Sequence, residues 1–223
     1  MAFYDGKGNF IDLEAKLPSR LNGADVVIFG DSNIYYSAGN TLGDIGSFYY
    51  QLAKEFSINT WTNKGENGQN SSQAVLRLKA WATEEVIARY NRESTIILFW
   101  YGTNDKLEWW TGATCPNAIA EISAFMVANF PKAFYAWIIP PETDWSKWTG
   151  LTEPDDRNMA EKVPYLIQYL EKNHIPYLDM YHQSGITAEM LSDGVHLGGG
   201  GEDYSTDAVY RAYRVLREYL MNK

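Results

Sequence analysis

From residue 25 onward, short and nearly continuous apolar runs alternate with stretches of helical periodicity, and this alternation constrains the fold more than any other feature. Asp25-Val26-Val27-Ile28-Phe29-Gly30 reads as a buried strand, and Thr95-Ile96-Ile97-Leu98-Phe99-Trp100 as a second, rich in β-branched and aromatic residues. Ala133 to Ile139 is a third, ended by Pro140-Pro141. Ile58-Asn59-Thr60-Trp61 is weaker, and Ile175-Pro176-Tyr177-Leu178-Asp179 suits a sheet edge because proline lacks a donor. Runs without polar alternation suit a parallel sheet covered on both faces.

Between the runs, apolar residues recur at helical spacing. Phe48, Leu52, Ala53 and Phe56 form one such face. Val75, Leu78, Ala82, Val86 and Ile87 form another, with Ser71 or Ser72 as N-cap. Ile119, Ile122, Phe125 and Met126 follow. Val163, Leu166, Ile167 and Leu170 come next, with Pro164 expected in the first turn. Val209, Tyr213, Leu216 and Leu220 form the last, entered through Ser205-Thr206-Asp207. A β-α repeat of this kind predicts an open, doubly wound α/β domain over residues 25–223. Residues 1–24 are irregular and read as a lead-in arm or linker, a possible attachment to a larger protein.

In open α/β sheets, ligands bind beyond the carboxyl ends of the strands. Three polar segments stand there: Gly30-Asp31-Ser32-Asn33, Asn63-Lys64-Gly65-Glu66-Asn67-Gly68 and Tyr101-Gly102-Thr103-Asn104-Asp105. A fourth, Ser192-Asp193-Gly194-Val195-His196, precedes the last helix. A serine hydroxyl is a weak nucleophile until a base takes its proton. His196 is the candidate base for Ser32, and one tight turn brings Asp193 to its ring, fixing the tautomer. Acyl transfer also needs donors ready for a developing oxyanion. The Ser32 amide, the Gly68 amide and the Asn104 side chain are candidates, and Gly65 competes with Gly68.

Together, Gly30-Asp31-Ser32, Gly68, Gly102-Thr103-Asn104-Asp105 and Asp193-Gly194-Val195-His196 resemble, in order, the four blocks of the SGNH/GDSL hydrolases. The first block has Asn33 where that family often has Leu. The resemblance implies a three-layer α/β/α sandwich, flavodoxin-like, with a five-stranded parallel sheet of order 2-1-3-4-5. It implies a catalytic triad of Ser32, His196 and Asp193, with Ser32, Gly68 and Asn104 as the oxyanion hole. It favours Gly68 over Gly65, because the family's hole glycine usually lies five residues after the block's Asn, here Asn63.

Aromatic residues make up 15% of the chain, with 8 Trp and 16 Tyr. Tyr101, Trp109, Trp110, Trp145 and Trp148 follow strand candidates and are expected to line the substrate site, beside Tyr35 and Tyr36. Flat rings with polar edges suit sugar faces, which points to an O-acetylesterase acting on acetylated carbohydrate. A lipase, thioesterase or general carboxylesterase is the alternative within the class. A carbohydrate-binding module on the same fold is the alternative outside it.

A net charge of −9 argues against nucleic acid and against anionic membrane surfaces as partners. No apolar stretch reaches the roughly 18 residues of a membrane span, and no signal peptide is visible. One cysteine, Cys115, excludes an intrachain disulfide. His174 and His182 lack partners at metal-ligand spacing, and the run Gly198 to Gly201 lacks the ending of a phosphate loop. The expectation is an enzyme without metal or cofactor.

Overall fold

A computed structural model describes residues 3–4, 10–11, 21–41, 43–44, 46–148, 157–191, 193–197 and 206–222. Most of the lead-in, Ser192, the Gly198 to Gly201 run and Ser205 lie outside them. Within the lead-in, Phe3–Tyr4 pairs antiparallel with Phe10–Ile11, and Leu21 and Ala24 are fully buried in the core.

Five strands form the central sheet: β1 (Asp25–Gly30), β2 (Thr60–Gly65), β3 (Thr95–Trp100), β4 (Phe134–Ile139) and β5 (Tyr177–Asp179). All pairings are parallel, and the order is β2-β1-β3-β4-β5, the expected 2-1-3-4-5. Helices α1 (Ser32–Ser37) and α2 (Phe48–Glu55) connect β1 to β2. Helices α3 (Ser71–Trp81) and α4 (Glu84–Tyr90) lead to β3. Helices α5 (Leu107–Thr111) and α6 (Thr114–Asn129) lead to β4. Helix α7 (Met159–Lys172) leads to β5, and α8 (Met180–Gln183) and α9 (Thr206–Met221) follow it.

Successive residues of a strand point to opposite faces, so a sheet covered on both sides buries every position. Each residue of β1 and β3 is buried accordingly. Val26, Ile28, Ile96, Leu98 and Ile138 pack with Phe48 and Leu52 of α2 and with Val209, Leu216 and Leu220 of α9. Val27, Phe29, Ile97, Phe99, Trp137 and Ile139 pack on the other side with α3, α6 and α7. These two cores make the three layers. Among the described residues, no helix is long and apolar enough to cross a membrane.

At four places the structure departs from the expectation. Strand β2 runs later than Ile58 to Trp61, because its register with β1 carries through to Gly30 opposite Gly65. The N-cap of α3 is Asn70: its side chain accepts from the Gln73 N–H at 3.1 Å, and Gln73 Oε1 accepts the Asn70 N–H at 3.0 Å. The face expected from Val75 to Ile87 breaks at Ala82, where ψ is 62° and Thr83 starts a new helix by capping the Val86 N–H. Pro164 sits in the second turn of α7, not the first, where its missing N–H removes one intrahelical bond.

The sheet order reverses between β1 and β3, which sends their following loops apart and opens a crevice at the carboxyl ends. Ser32 follows β1 and Asn104 follows β3, so both stand at this switch point.

Candidate active site

Ser32 opens α1 directly after β1. Asp31 caps that helix, its Oδ1 accepting the Asn33 N–H at 2.9 Å. The turn holds Ser32 at the rim with only 6% exposure. Ser32 Oγ lies 2.8 Å from His196 Nε2. His196 Nδ1 lies 2.6 Å from Asp193 Oδ2. An ionised carboxylate only accepts, so the ring proton sits on Nδ1 and Nε2 is left to accept from the serine hydroxyl.

The turn that joins Asp193 to His196 is itself built by the carboxylate. Asp193 Oδ1 accepts the N–H groups of Val195 at 2.9 Å and His196 at 2.8 Å. Burial acts to raise the Asp193 pKa, but the His196 ring and these two N–H donors outweigh it and bring it down to about 2. Asp193 is therefore ionised throughout the neutral range.

Asn33 is a contributor that sequence alone marks only as a turn former. It is 1% exposed. Its Oδ1 accepts the Leu197 N–H at 2.8 Å, and its Nδ2 donates to the Val195 carbonyl at 3.4 Å. The residue after the serine thus grips the backbone on both sides of His196. A leucine at this position could make neither bond.

Ser32, Asp193, His196, Gly68 and Asn104 line one cavity of about 560 Å³ with Trp145, Trp148, Tyr36 and Arg157. Gly68 has φ +71°, a conformation that suits glycine. Gly65 does not reach this cavity; it packs beneath α1 and borders a neighbouring hollow. Asn104 Nδ2 donates to the Gln69 carbonyl at 2.9 Å, which ties the loop after β3 to the segment carrying Gly68. The rings of Trp148 and Tyr36 flank His196, with centroids at 5.1 Å and 6.4 Å. The Arg157 guanidinium lies over Trp145 at 3.9 Å.

The aromatic rim needs correction. Trp145 and Trp148 line the cavity, but Tyr101, Trp109 and Trp110 do not. Tyr101 continues the inward alternation of Ile97 and Phe99, so its ring packs in the core with Trp137 and is fully buried. Trp110 is 3% exposed, and both it and Trp109 of α5 pack on the same core. Of the other two rings, Tyr36 stands in the cavity and Tyr35 is 52% exposed beside it.

Asp31 is fully buried, and burial raises its pKa from 3.8 to about 6 although the Asn33 N–H and the His196 charge act to lower it. The folded value exceeds the unfolded one. Its stabilising contribution is therefore complete below about pH 4 and lost as pH rises through about 6. Asp31→Asn keeps an oxygen for the Asn33 N–H and removes the buried charge. Thermal melts should find the variant more stable than wild type near pH 7, by on the order of 2–3 kcal/mol, with the gap closing toward pH 4. A pH-independent gap would contradict this account.

No family model and no curated protein matches the chain. Solved structures share its fold. A GDSL-like lipase from Bacteroides thetaiotaomicron superposes with a TM-score of 0.61 at 17% identity, covering 90% of this chain and 89% of that one. The lipase/acylhydrolase from Enterococcus faecalis gives 0.59 at 20% identity, over 89% and 96% of the two chains. A mutant of an acetyl-xylooligosaccharide esterase from Geobacillus gives 0.58 at 15% identity, over 91% and 96%. The fold is thus that of GDSL/SGNH hydrolase structures, as the motif order implied.

Proposed function

We propose that the protein is a serine ester hydrolase that removes acetyl groups from carbohydrate. The observation that carries the first part is the relay from Asp193 through His196 to Ser32, with contacts of 2.6 Å and 2.8 Å. In this reading His196 takes the Ser32 proton as Oγ attacks the ester carbonyl. The tetrahedral oxyanion is met by the amides of Ser32 and Gly68 and by the Asn104 side chain. Its collapse expels the alcohol, which receives the proton from His196. Water, deprotonated by His196, then attacks the acyl-serine; collapse breaks the bond to Ser32 Oγ, which takes the proton back from His196 as the acid leaves. Asp193 stays ionised and pairs with the imidazolium at both stages.

The finer assignment rests on the walls. Trp145, Trp148 and Tyr36 offer flat faces around the reacting groups. A second hollow of about 600 Å³, bordered by Tyr35, Asn40, Asp44 and Asn63, shares Tyr36 with the first. A chain of sugars running from one to the other would meet rings and polar groups in turn. The acetyl-xylooligosaccharide esterase with the same fold is in keeping with this reading.

The test compares wild type with Ser32→Ala on p-nitrophenyl acetate, and wild type on acetylated oligosaccharide against long-chain acyl esters. Expected are loss of turnover in the variant and acetate release from the oligosaccharide with little long-chain hydrolysis. Equal rates for wild type and Ser32→Ala would leave a carbohydrate-binding module. A preference for long chains would make the protein a lipase.

A further inference from the structure

Lys162 is a charged residue on the apolar stripe of α7, and it is completely buried. An unpaired ammonium in such a place is heavily penalised, and simple packing would be served by methionine. Its Nζ donates to three main-chain carbonyls: Gly102 at 2.6 Å, Asp105 at 2.8 Å and Thr103 at 3.2 Å. An ammonium has three N–H donors, so one side chain can serve all three carbonyls. All three belong to the loop that follows β3.

That loop carries Asn104. Thr103 and Asp105 on either side of it are fully buried, while Asn104 reaches the cavity. In a trans peptide the N–H points opposite to the carbonyl. Carbonyls drawn inward to Lys162 therefore turn the N–H groups of Thr103 and Asn104 away from it. The Asp105 carboxylate makes the second anchor, accepting the Ser71 N–H at 2.9 Å and the Ser71 hydroxyl at the start of α3. Burial pushes the Asp105 pKa up, and the Ser71 hydroxyl and the Lys162 charge act against it. The loop is thus pinned from two helices, α7 by way of Lys162 and α3 by way of Ser71.

We infer that Lys162 is a positioning residue for the oxyanion hole: its ammonium fixes the Gly102 to Asp105 backbone and thereby sets the Asn104 amide against the substrate oxygen. This rests on the hydrolase reading above. Lys162 touches no reacting atom, and its effect passes through Asn104.

A double-mutant cycle tests this. Wild type, Lys162→Met, Asn104→Ala and the double variant are assayed on p-nitrophenyl acetate. Rates are referred to the number of competent serines counted with a fluorophosphonate, so that misfolded molecules do not contribute. Asn104→Ala should lower kcat by roughly 100-fold or more. Lys162→Met should lower it by about 10- to 100-fold with KM changed by less than about 2-fold. The double variant should be no slower than Asn104→Ala by more than about 3-fold, because Lys162 has nothing left to position. Losses that multiply, or a wild-type kcat in Lys162→Met, would overturn the inference. Where Lys162→Met yields no folded protein, Lys162→Gln, which keeps an amide donor for the loop, goes through the same cycle: losses that fail to multiply support the inference, and losses that multiply overturn it. A wild type without Ser32-dependent turnover would sink the hydrolase reading instead, and so the two failures are distinct.

Discussion

His196→Ala is expected to lower kcat on p-nitrophenyl acetate by at least about 10,000-fold while the protein remains folded. The ring sits at the cavity wall, its side chain 11% exposed, so its removal opens space toward solvent and not in either core. What is lost is the acceptor 2.8 Å from Ser32 Oγ. Asp193→Asn keeps the turn, since an amide oxygen still accepts the Val195 and His196 N–H groups, but it no longer pairs with an imidazolium. Its loss should be about 10-fold smaller. A His196→Ala variant retaining a tenth of the activity would remove the relay from the mechanism.

The second large effect is expected at Gly65, the glycine that does not line the cavity. A Cβ placed there would lie 2.3 Å from the backbone nitrogen of Tyr35 and 2.7 Å from the carbonyl carbon of Ile34. Both are main-chain atoms of α1, the helix that Ser32 begins. Asn63 Nδ2 already binds the Ile34 carbonyl at 3.0 Å, so β2 and α1 are in direct register. Gly65→Ala must push α1 off the sheet edge. Overpacking of this kind costs about 1–3 kcal/mol, and the backbone contact places it at the upper end or beyond. Activity should fall with stability, because Ser32 moves with the helix. Gly68→Ala makes the contrast: nothing lies within 4 Å of its Cβ, and only the positive φ is strained. Chemical denaturation of the two variants should separate them clearly, and equal stability would show that α1 yields without cost.

Strands β1 and β3 are legible from sequence because burial on both faces leaves no room for polar residues. Strand β2 is legible only at its start, because its edge position leaves Thr62, Asn63 and Lys64 half-exposed and erases the apolar signal. The first three blocks are legible because strand ends in a parallel sheet must share one rim, and the fourth because Asp193 and His196 are only three residues apart. The aromatic rim is only partly legible. A ring just after a strand can turn into the cavity or continue the strand's alternation inward, and Tyr101 does the latter. Lys162 does carry a sequence signature: a cation spaced with Met159, Val163 and Leu166 on an apolar helical stripe. Asn33 carries none, because its two partners lie 162 and 164 residues away.

The loop after β4 also touches the relay. The Asp144 N–H donates to the Gly194 carbonyl at 2.7 Å, and the next turn, Trp145–Lys147, supplies a wall of the cavity. Gly194 stands between Asp193 and His196. Anyone wishing to redesign selectivity by transplanting a different segment after Ile139 would therefore disturb His196 as well as the wall. Recruitment of a new substrate in this scaffold calls for changes in both segments together, or for changes confined to the tips of Trp148 and Tyr36.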